Sequence, residues 1–344
     1  MPGQLAAAAF GLAAFFHRLP TRPPVRPRMT CEATPHRDEA CCGHGHGHAH
    51  GLPPEGLDRA MALGVGLNAV FVIVEIASGL WAGSLALLAD AGHNAGDVVG
   101  LLLAWGASWL ARRPPSQRYT WGLRRATIYA ALVNATLLLT ACGVIAWEAW
   151  HRLWSPEPVA GPIIVVVASV GVVINTLTAL LFVRGRRDAN VRAAFLHMAA
   201  DAAVSAGVVA AGIAIAVTGL AWIDPLVSMV VAAAIVAGTW GLFREALDLA
   251  LDAVPRGVET GAITAALAAV PGVSEVHDLH VWGASTSEIS VTAHLVVPAA
   301  TDRDAVLAAA LDLLRDRFQT AHATIQIEGD ATGRSCPQRP AEAL

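Results

Sequence analysis

Six apolar runs dominate the middle of the chain, at residues 61–81, 85–110, 126–150, 160–183, 193–217 and 222–243. A helix needs roughly 20 predominantly apolar residues to cross a bilayer, and lipid accepts only backbone whose polar groups are satisfied internally. Each run is long enough, so the pattern predicts six transmembrane helices. The connections alternate in charge. Arg112, Arg113, Arg118, Arg124 and Arg125 lie between the second and third runs, and Arg184, Arg186, Arg187 and Arg192 between the fourth and fifth. The connections after the first and fifth runs, "AGS" and "TGLA", carry no arginine, and the one after the third has only Arg152 near its start. Cationic loops stay on the cytoplasmic side. Both termini are therefore expected there, on a multi-pass protein of the cell inner membrane.

Beyond Pro255 the pattern changes. "VETGAITAALAAV" predicts a helix, "VSEVHDLHVWGAS" and "EISVTAHLVV" two strands, "TDRDAVLAAALDLLRDRF" a helix whose Asp-rich start suits its N-terminus, and "ATIQIE" a last strand. The α-β-β-α-β order predicts a small cytoplasmic α+β domain over 255–330, with helices on one face of a sheet. The six-helix membrane domain occupies 59–254. Residues 1–58, rich in Pro, Ala, Gly and His, and residues 331–344 are expected to be disordered tails. "AAAAFGLAAFF" is too short to span and has no basic residue before it, as a signal peptide would. Met29 therefore stands as an alternative start.

Composition agrees with a membrane protein. The chain is 55% hydrophobic and 15% charged, against about 25% charged in soluble domains; its mean hydropathy is +0.53. It has no lysine and no broad basic face for nucleic acid. Five cysteines without paired spacing argue against a disulfide scaffold and for a reducing setting around the soluble parts.

Ionisable groups inside apolar helices are expensive and call for a role. In "LADAGHNAGDVV", His93 and Asp97 are four residues apart, and in "FLHMAADAAVS", His197 and Asp201 repeat the spacing. Positions i and i+4 share a helix face. Two helices thus offer two imidazoles and two carboxylates to one cation, a set that tetrahedral Zn²⁺ accepts and that Co²⁺, Ni²⁺ or Cu²⁺ also suit. A pair of structural hydrogen bonds is the alternative. Glu75 and Asp90 are weaker candidates, with Asp90 one turn nearer the outer end, where it is expected to reach water. Asn68, Asn134 and Asn175 are expected to bridge helices.

"GSLALLADAGHNAGDVVGLLLAWGASWLARRPPSQRYTWGLRRATIYAALVNA" and "NVRAAFLHMAADAAVSAGVVAAG", followed by "WIDPLVS", resemble the cation diffusion facilitator family, close to its bacterial zinc exporters. The likeness covers about residues 57–330, and the paired HxxxD elements are its most specific part. It implies six membrane helices, a metallochaperone-like cytoplasmic domain and a homodimer that exchanges Zn²⁺ for protons. The family's transport site maps onto His93, Asp97, His197 and Asp201, and a first-position His resembles members that favour zinc over cadmium. Thr127 departs from the pattern, since relatives often carry Glu there.

The family's cytoplasmic domain often holds further metal, for which His277, His294, His322 and Glu328 are the candidates here. Strand alternation puts His294 and Glu328 opposite the apolar faces of their strands. His277 shares parity with Leu279 and Val281, so it fits only if it precedes the regular strand. The run "CCGHGHGHAHG" offers His44, His46, His48 and His50 for labile metal capture. Arg124 or Arg125 is expected to pair with Asp248 or Asp252 where the sixth helix leaves the membrane. Together these point to a secondary transporter, not an enzyme, that moves Zn²⁺ out of the cytoplasm, with helices two and five moving around a mid-membrane site. Export of Co²⁺, Ni²⁺ or Cd²⁺ and a membrane metal sensor without flux are the alternatives. An intramembrane metalloenzyme is disfavoured, because no HExxH motif and no general base accompany the ligands.

Overall fold

The computed structural model describes residues 57–183 and 189–329. The expectations for the N-terminal tail, including His44, His46, His48 and His50, and for the C-terminal tail lie outside the described residues. Six long helices come first: α1 (Leu57–Ala82), α2 (Leu85–Ala111), α3 (Ala126–Trp154), α4 (Gly161–Phe182), α5 (Ala189–Thr218) and α6 (Ile223–Ala250). Then follow α7 (Thr260–Ala268), β1 (Glu275–Gly283), β2 (Ile289–Val297), α8 (Arg303–Phe318) and β3 (His322–Gly329).

Segments of α3, α4, α5 and α6 are long and apolar enough to cross a membrane. Among the described residues α1 offers a shorter apolar stretch, Asn68–Ala82, and α2 is interrupted by Asp90, His93, Asn94 and Asp97. Membrane exposure is also visible in what the bundle leaves outside. Ile73, Leu80, Val144, Val166, Val217 and Val230 all face outward, an arrangement that lipid favours and water does not. Exposed tryptophans cluster towards two levels: Trp81, Trp154 and Trp222 at one end of the helices, Trp105, Trp109 and Trp240 towards the other. Such belts mark the two interfaces of a bilayer.

The helices divide by their packing. α4 lies along α5, while α3 lies along α6 and α2 packs on α1, α3 and α6. Small residues allow the closest approaches. A Cβ on Gly161 would stand 2.8 Å from the Gly212 carbonyl oxygen across α4 and α5, and one on Gly100 would stand 2.7 Å from Asn134 Nδ2 across α2 and α3.

α1 turns into α2 at Gly83, whose φ of +66° falls in the left-handed region that glycine enters without strain. Ser84 then caps α2 by accepting from the Leu87 N–H. The cap is reinforced from α6. The Asp224 carboxylate, buried at the start of that helix, accepts from Ser84 Oγ at 2.5 Å, Leu85 N at 2.7 Å and Ala86 N at 3.3 Å. A negative charge at the exposed N–H groups of a helix start is favourable. One end of α2 is thereby fixed to α6.

The C-terminal unit is a three-stranded sheet in the order β1-β2-β3, with β1 and β2 antiparallel and β2 and β3 parallel. α7 packs on β1 and α8 on β3. Ile263 and Leu267 of α7 and Val306, Ala310 and Leu314 of α8 meet Val281, Val291, Ala293 and Leu295 in a single apolar core. α8 starts as expected, with Asp302 accepting from the Asp304 and Ala305 N–H groups. Arg125 pairs with Asp252 just after α6, and this unit meets the membrane domain through Arg124, which reaches Glu288 at 3.1 Å. The expected contact is present for Arg125; Arg124 crosses instead to the β1–β2 connection. Thr127 takes part as well, accepting from the Thr286 N–H at 3.2 Å.

Candidate metal centre

α2 and α5 approach each other where both carry their HxxxD elements. The four side chains meet in a crossed pattern. His93 Nε2 lies 2.9 Å from Asp201 Oδ1, and His197 Nε2 lies 3.2 Å from Asp97 Oδ2 and 3.6 Å from Asp201 Oδ2. Each imidazole therefore pairs with the carboxylate of the opposite helix, which ties α2 to α5 through the ligands themselves. His93, His197 and Asp201 each bring one ligand atom within 4.8 Å of the others, and Asp97 joins through His197. The two rings meet edge-on, with centroids 5.9 Å apart. His93 Nδ1 and Asp201 Oδ2 are buried without a hydrogen-bond partner, as expected of atoms arranged for a cation.

Exposure is graded along the site. The side chain of Asp201 is 4% exposed, His197 10%, His93 16% and Asp97 26%. Asp90, one turn before His93, has no exposed surface and accepts from Ser205 Oγ at 2.7 Å. The expectation that Asp90 reaches water is thus corrected, because α5 covers it. Exposure is greatest at Asp97, towards the end of α2 that leads to Arg112 and Arg113, and absent at Asp90 on the other side. Glu75 is also buried and does not join the quartet; it accepts from Asn94 Nδ2 at 3.1 Å.

A second cluster lies on the sheet. Glu328 Oε2 is 3.4 Å from His277 Nε2, Glu328 Oε1 is 3.1 Å from His294 Nδ1, and the two imidazoles stand 5.3 Å apart. The parity problem at His277 is solved within the strand. β1 pairs His277 with His294 but His280 with Thr292, so one extra residue is inserted between them. A bulge of this kind reverses which face the following residues present, and Asp278 takes the extra place with a φ of +53°. His277 therefore sits beside His294 although Leu279 and Val281 point into the core. Sequence parity missed two acids here. Asp278 Oδ2 is 3.2 Å from His294 Nε2, and Glu275 Oε1 is 3.6 Å from His277 Nδ1.

His322 is not part of this cluster. It pairs with Ser290, whereas His294 pairs with Gln326, four residues further along β3 and so roughly 13 Å away at strand rise. His322 instead stacks edge-on against Trp121 in the α2–α3 connection, with centroids 4.7 Å apart. In the sheet cluster His277 Nδ1 and Nε2 and His294 Nδ1 have no hydrogen-bond partner. Two imidazoles and a carboxylate brought together in this way fit a divalent cation.

Residues 61–249 match the cation efflux transmembrane domain, and residues 255–330 match the cation efflux protein cytoplasmic domain. Zinc transporter ZitB of Escherichia coli is 36% identical over 280 residues, covering 80% of this chain and 89% of that one. Metal cation efflux system protein CzcD of Cupriavidus metallidurans is 35% identical over 277 residues, covering 80% of this chain and 88% of that one. Among solved structures, the metal-bound C-terminal domain of the CzcD transporter is 33% identical, covers 21% of this chain and 99% of that one, and superposes with a TM-score of 0.20.

Proposed function

The chain belongs to the cation efflux family, and on that premise we propose that it exports Zn²⁺ from the cytoplasm in exchange for protons, through His93, Asp97, His197 and Asp201. The observation that carries this reading is the crossed quartet between α2 and α5, with its most exposed member at Asp97 and no exposed surface at Asp90. Metal must displace protons from imidazoles and compete with them at carboxylates, so occupancy is linked to pH. If the same four side chains hold Zn²⁺ when facing the cytoplasm and protons when facing outward, exchange needs no separate proton channel.

In this reading α1 and α2 span the membrane with the other four helices, and both termini are cytoplasmic. The arginine-bearing connection after α2 and the more exposed Asp97 end of the quartet then share the cytoplasmic side, which supports an inward-facing site. The packing also refines which parts move. α2 is fastened to α6 by Asp224 and packs on α3, whereas α5 lies along α4. Alternating access is better described as the α4–α5 pair shifting against the α2–α3–α6 group, with the site on the seam, than as α2 and α5 moving together.

The cytoplasmic unit holds two copies of the chain together, and His277, His294 and Glu328, with Asp278 beside them, hold a further Zn²⁺ there. That cation would cross-link β1, β2 and β3 and stabilise the sheet on which the dimer rests.

Zn²⁺, Co²⁺, Ni²⁺ and Cd²⁺ should be compared in proteoliposomes carrying an internal metal indicator. Two imidazoles and two carboxylates are expected to rank Zn²⁺ first and Cd²⁺ last in initial rate. Metal binding without entry of any of the four ions would sink the transporter reading and leave a membrane metal sensor.

A further inference from the structure

A second polar tier lies next to the quartet, on its Asp90 side. It is formed by Glu75 of α1, Asp90 and Asn94 of α2 and Ser205 of α5. Glu75, Asp90 and Ser205 have no exposed surface, and Asn94 has 3%. Asp90 precedes His93 by three residues and Ser205 follows Asp201 by four, so each lies about one helical turn from a quartet member. Asn94 Nδ2 donates to Glu75 Oε2, and Ser205 Oγ donates to Asp90 Oδ2. The other oxygens, Glu75 Oε1 and Asp90 Oδ1, are buried and meet no donor. The two carboxyl groups lie within electrostatic reach of each other, and neither forms an ion pair among the described residues. The other ionisable groups facing them are His93 on α2 and Asp201 on α5.

While the quartet holds no cation, two ionised carboxylates in such a place are strongly disfavoured, since each alone is costly to bury and their repulsion adds to the cost. Each carboxyl keeps one buried acceptor oxygen without a donor. A single proton supplies the missing donor, because it makes one carboxyl the donor to the other.

We propose that Glu75 and Asp90 share one proton while the quartet is free of metal, and that this proton leaves when a divalent cation occupies the quartet. The inference rests on the quartet being the metal site. In the step one carboxyl O–H bond breaks, its electron pair stays on the carboxylate oxygen, and the proton is taken up by water. Two positive charges arriving about one helical turn away oppose the proton and favour the carboxylate it leaves behind. Part of the cation's charge is then balanced inside the membrane by residues that do not touch it, and the exchange ratio includes a proton that the quartet does not carry.

The test uses the full chain in lipid nanodiscs, titrated with Zn²⁺ in weak buffer containing a pH indicator, with infrared difference spectra recorded in parallel. The wild type is expected to lose a protonated-carboxyl band when zinc is added. Glu75→Gln and Asp90→Asn are each expected to bind zinc, to release about one proton fewer per zinc bound, and to lack that spectral change. If one variant does not fold, the other carries the test by itself. Proton release equal to wild type in a variant that binds zinc would overturn the proposal. So would a wild-type spectrum with no protonated carboxyl before zinc is added. Asp97→Ala run alongside tests the quartet separately: undiminished zinc binding by that variant would remove the quartet as the metal site, and the coupling with it.

Discussion

Asp201→Ala is expected to abolish zinc transport while leaving the chain folded. Asp201 is the most buried member of the quartet, and its carboxylate lies 2.9 Å from His93 and 3.6 Å from His197. Its loss removes a metal ligand and the charge that offsets the cation in lipid. Loss of a group that merely orients a ligand already weakens metal binding by roughly 10- to 100-fold, and loss of the ligand itself is expected to exceed that. The stability of the bundle, by contrast, rests on contacts elsewhere, in the core that joins Leu87, Leu138, Ile164, Val208 and Ile235. Stopped-flow zinc entry into proteoliposomes, with size-exclusion chromatography as the check on folding, reads both. Asp201→Asn keeps a hydrogen-bond acceptor for His93 and loses the charge, so a rate as low as that of the alanine variant would identify the charge as the essential property. A folded Asp201→Ala variant that transports zinc at the wild-type rate would remove this residue from the site.

Asp224→Ala carries the largest expected effect on stability. The carboxylate satisfies Ser84 Oγ and the N–H groups of Leu85 and Ala86 at the start of α2. Alanine leaves these donors without an acceptor at a buried position, where each lost partner costs about 1–3 kcal/mol. Together with the lost charge at the helix start, the expected destabilisation is about 3 kcal/mol or more. Asp224→Asn, which keeps one acceptor oxygen, is expected to fall between the two. The unfolding midpoint in detergent measures the order, and an alanine variant with an unchanged midpoint would show that α2 is held by packing alone. Because Asp224 anchors the helix that carries His93 and Asp97, its loss is also expected to slow transport in molecules that remain folded.

Much of this site was legible in the sequence because its spacing is local. Four residues return a helix to the same face, so His93 with Asp97 and His197 with Asp201 could be grouped without knowing how the helices pack. The crossed pairing could not be read that way, because it depends on the relative height and rotation of α2 and α5. The same limit applies to Asp90. Its position on α2 was clear, but its cover by Ser205 comes from another helix 115 residues away in sequence.

In the sheet, alternation located His294 and Glu328 correctly relative to the apolar face and failed at His277. One inserted residue at Asp278 inverts the count, and an acidic residue with positive φ gives only a faint signal of a bulge in advance. His322 has the right parity and the wrong height, since alternation fixes a face and says nothing of register. The membrane helices show a related effect. α2 is interrupted by the polar residues proposed to hold metal, so hydropathy alone identifies it least well.

The central claim is that the crossed quartet carries both metal and protons. Its most direct test is zinc-dependent proton flux across proteoliposomes, measured with a pH-sensitive dye for wild type and Asp97→Ala side by side. The account predicts counterflow of protons with zinc in the wild type and none in Asp97→Ala. Zinc-driven proton flux that survives intact in a folded Asp97→Ala variant would contradict it.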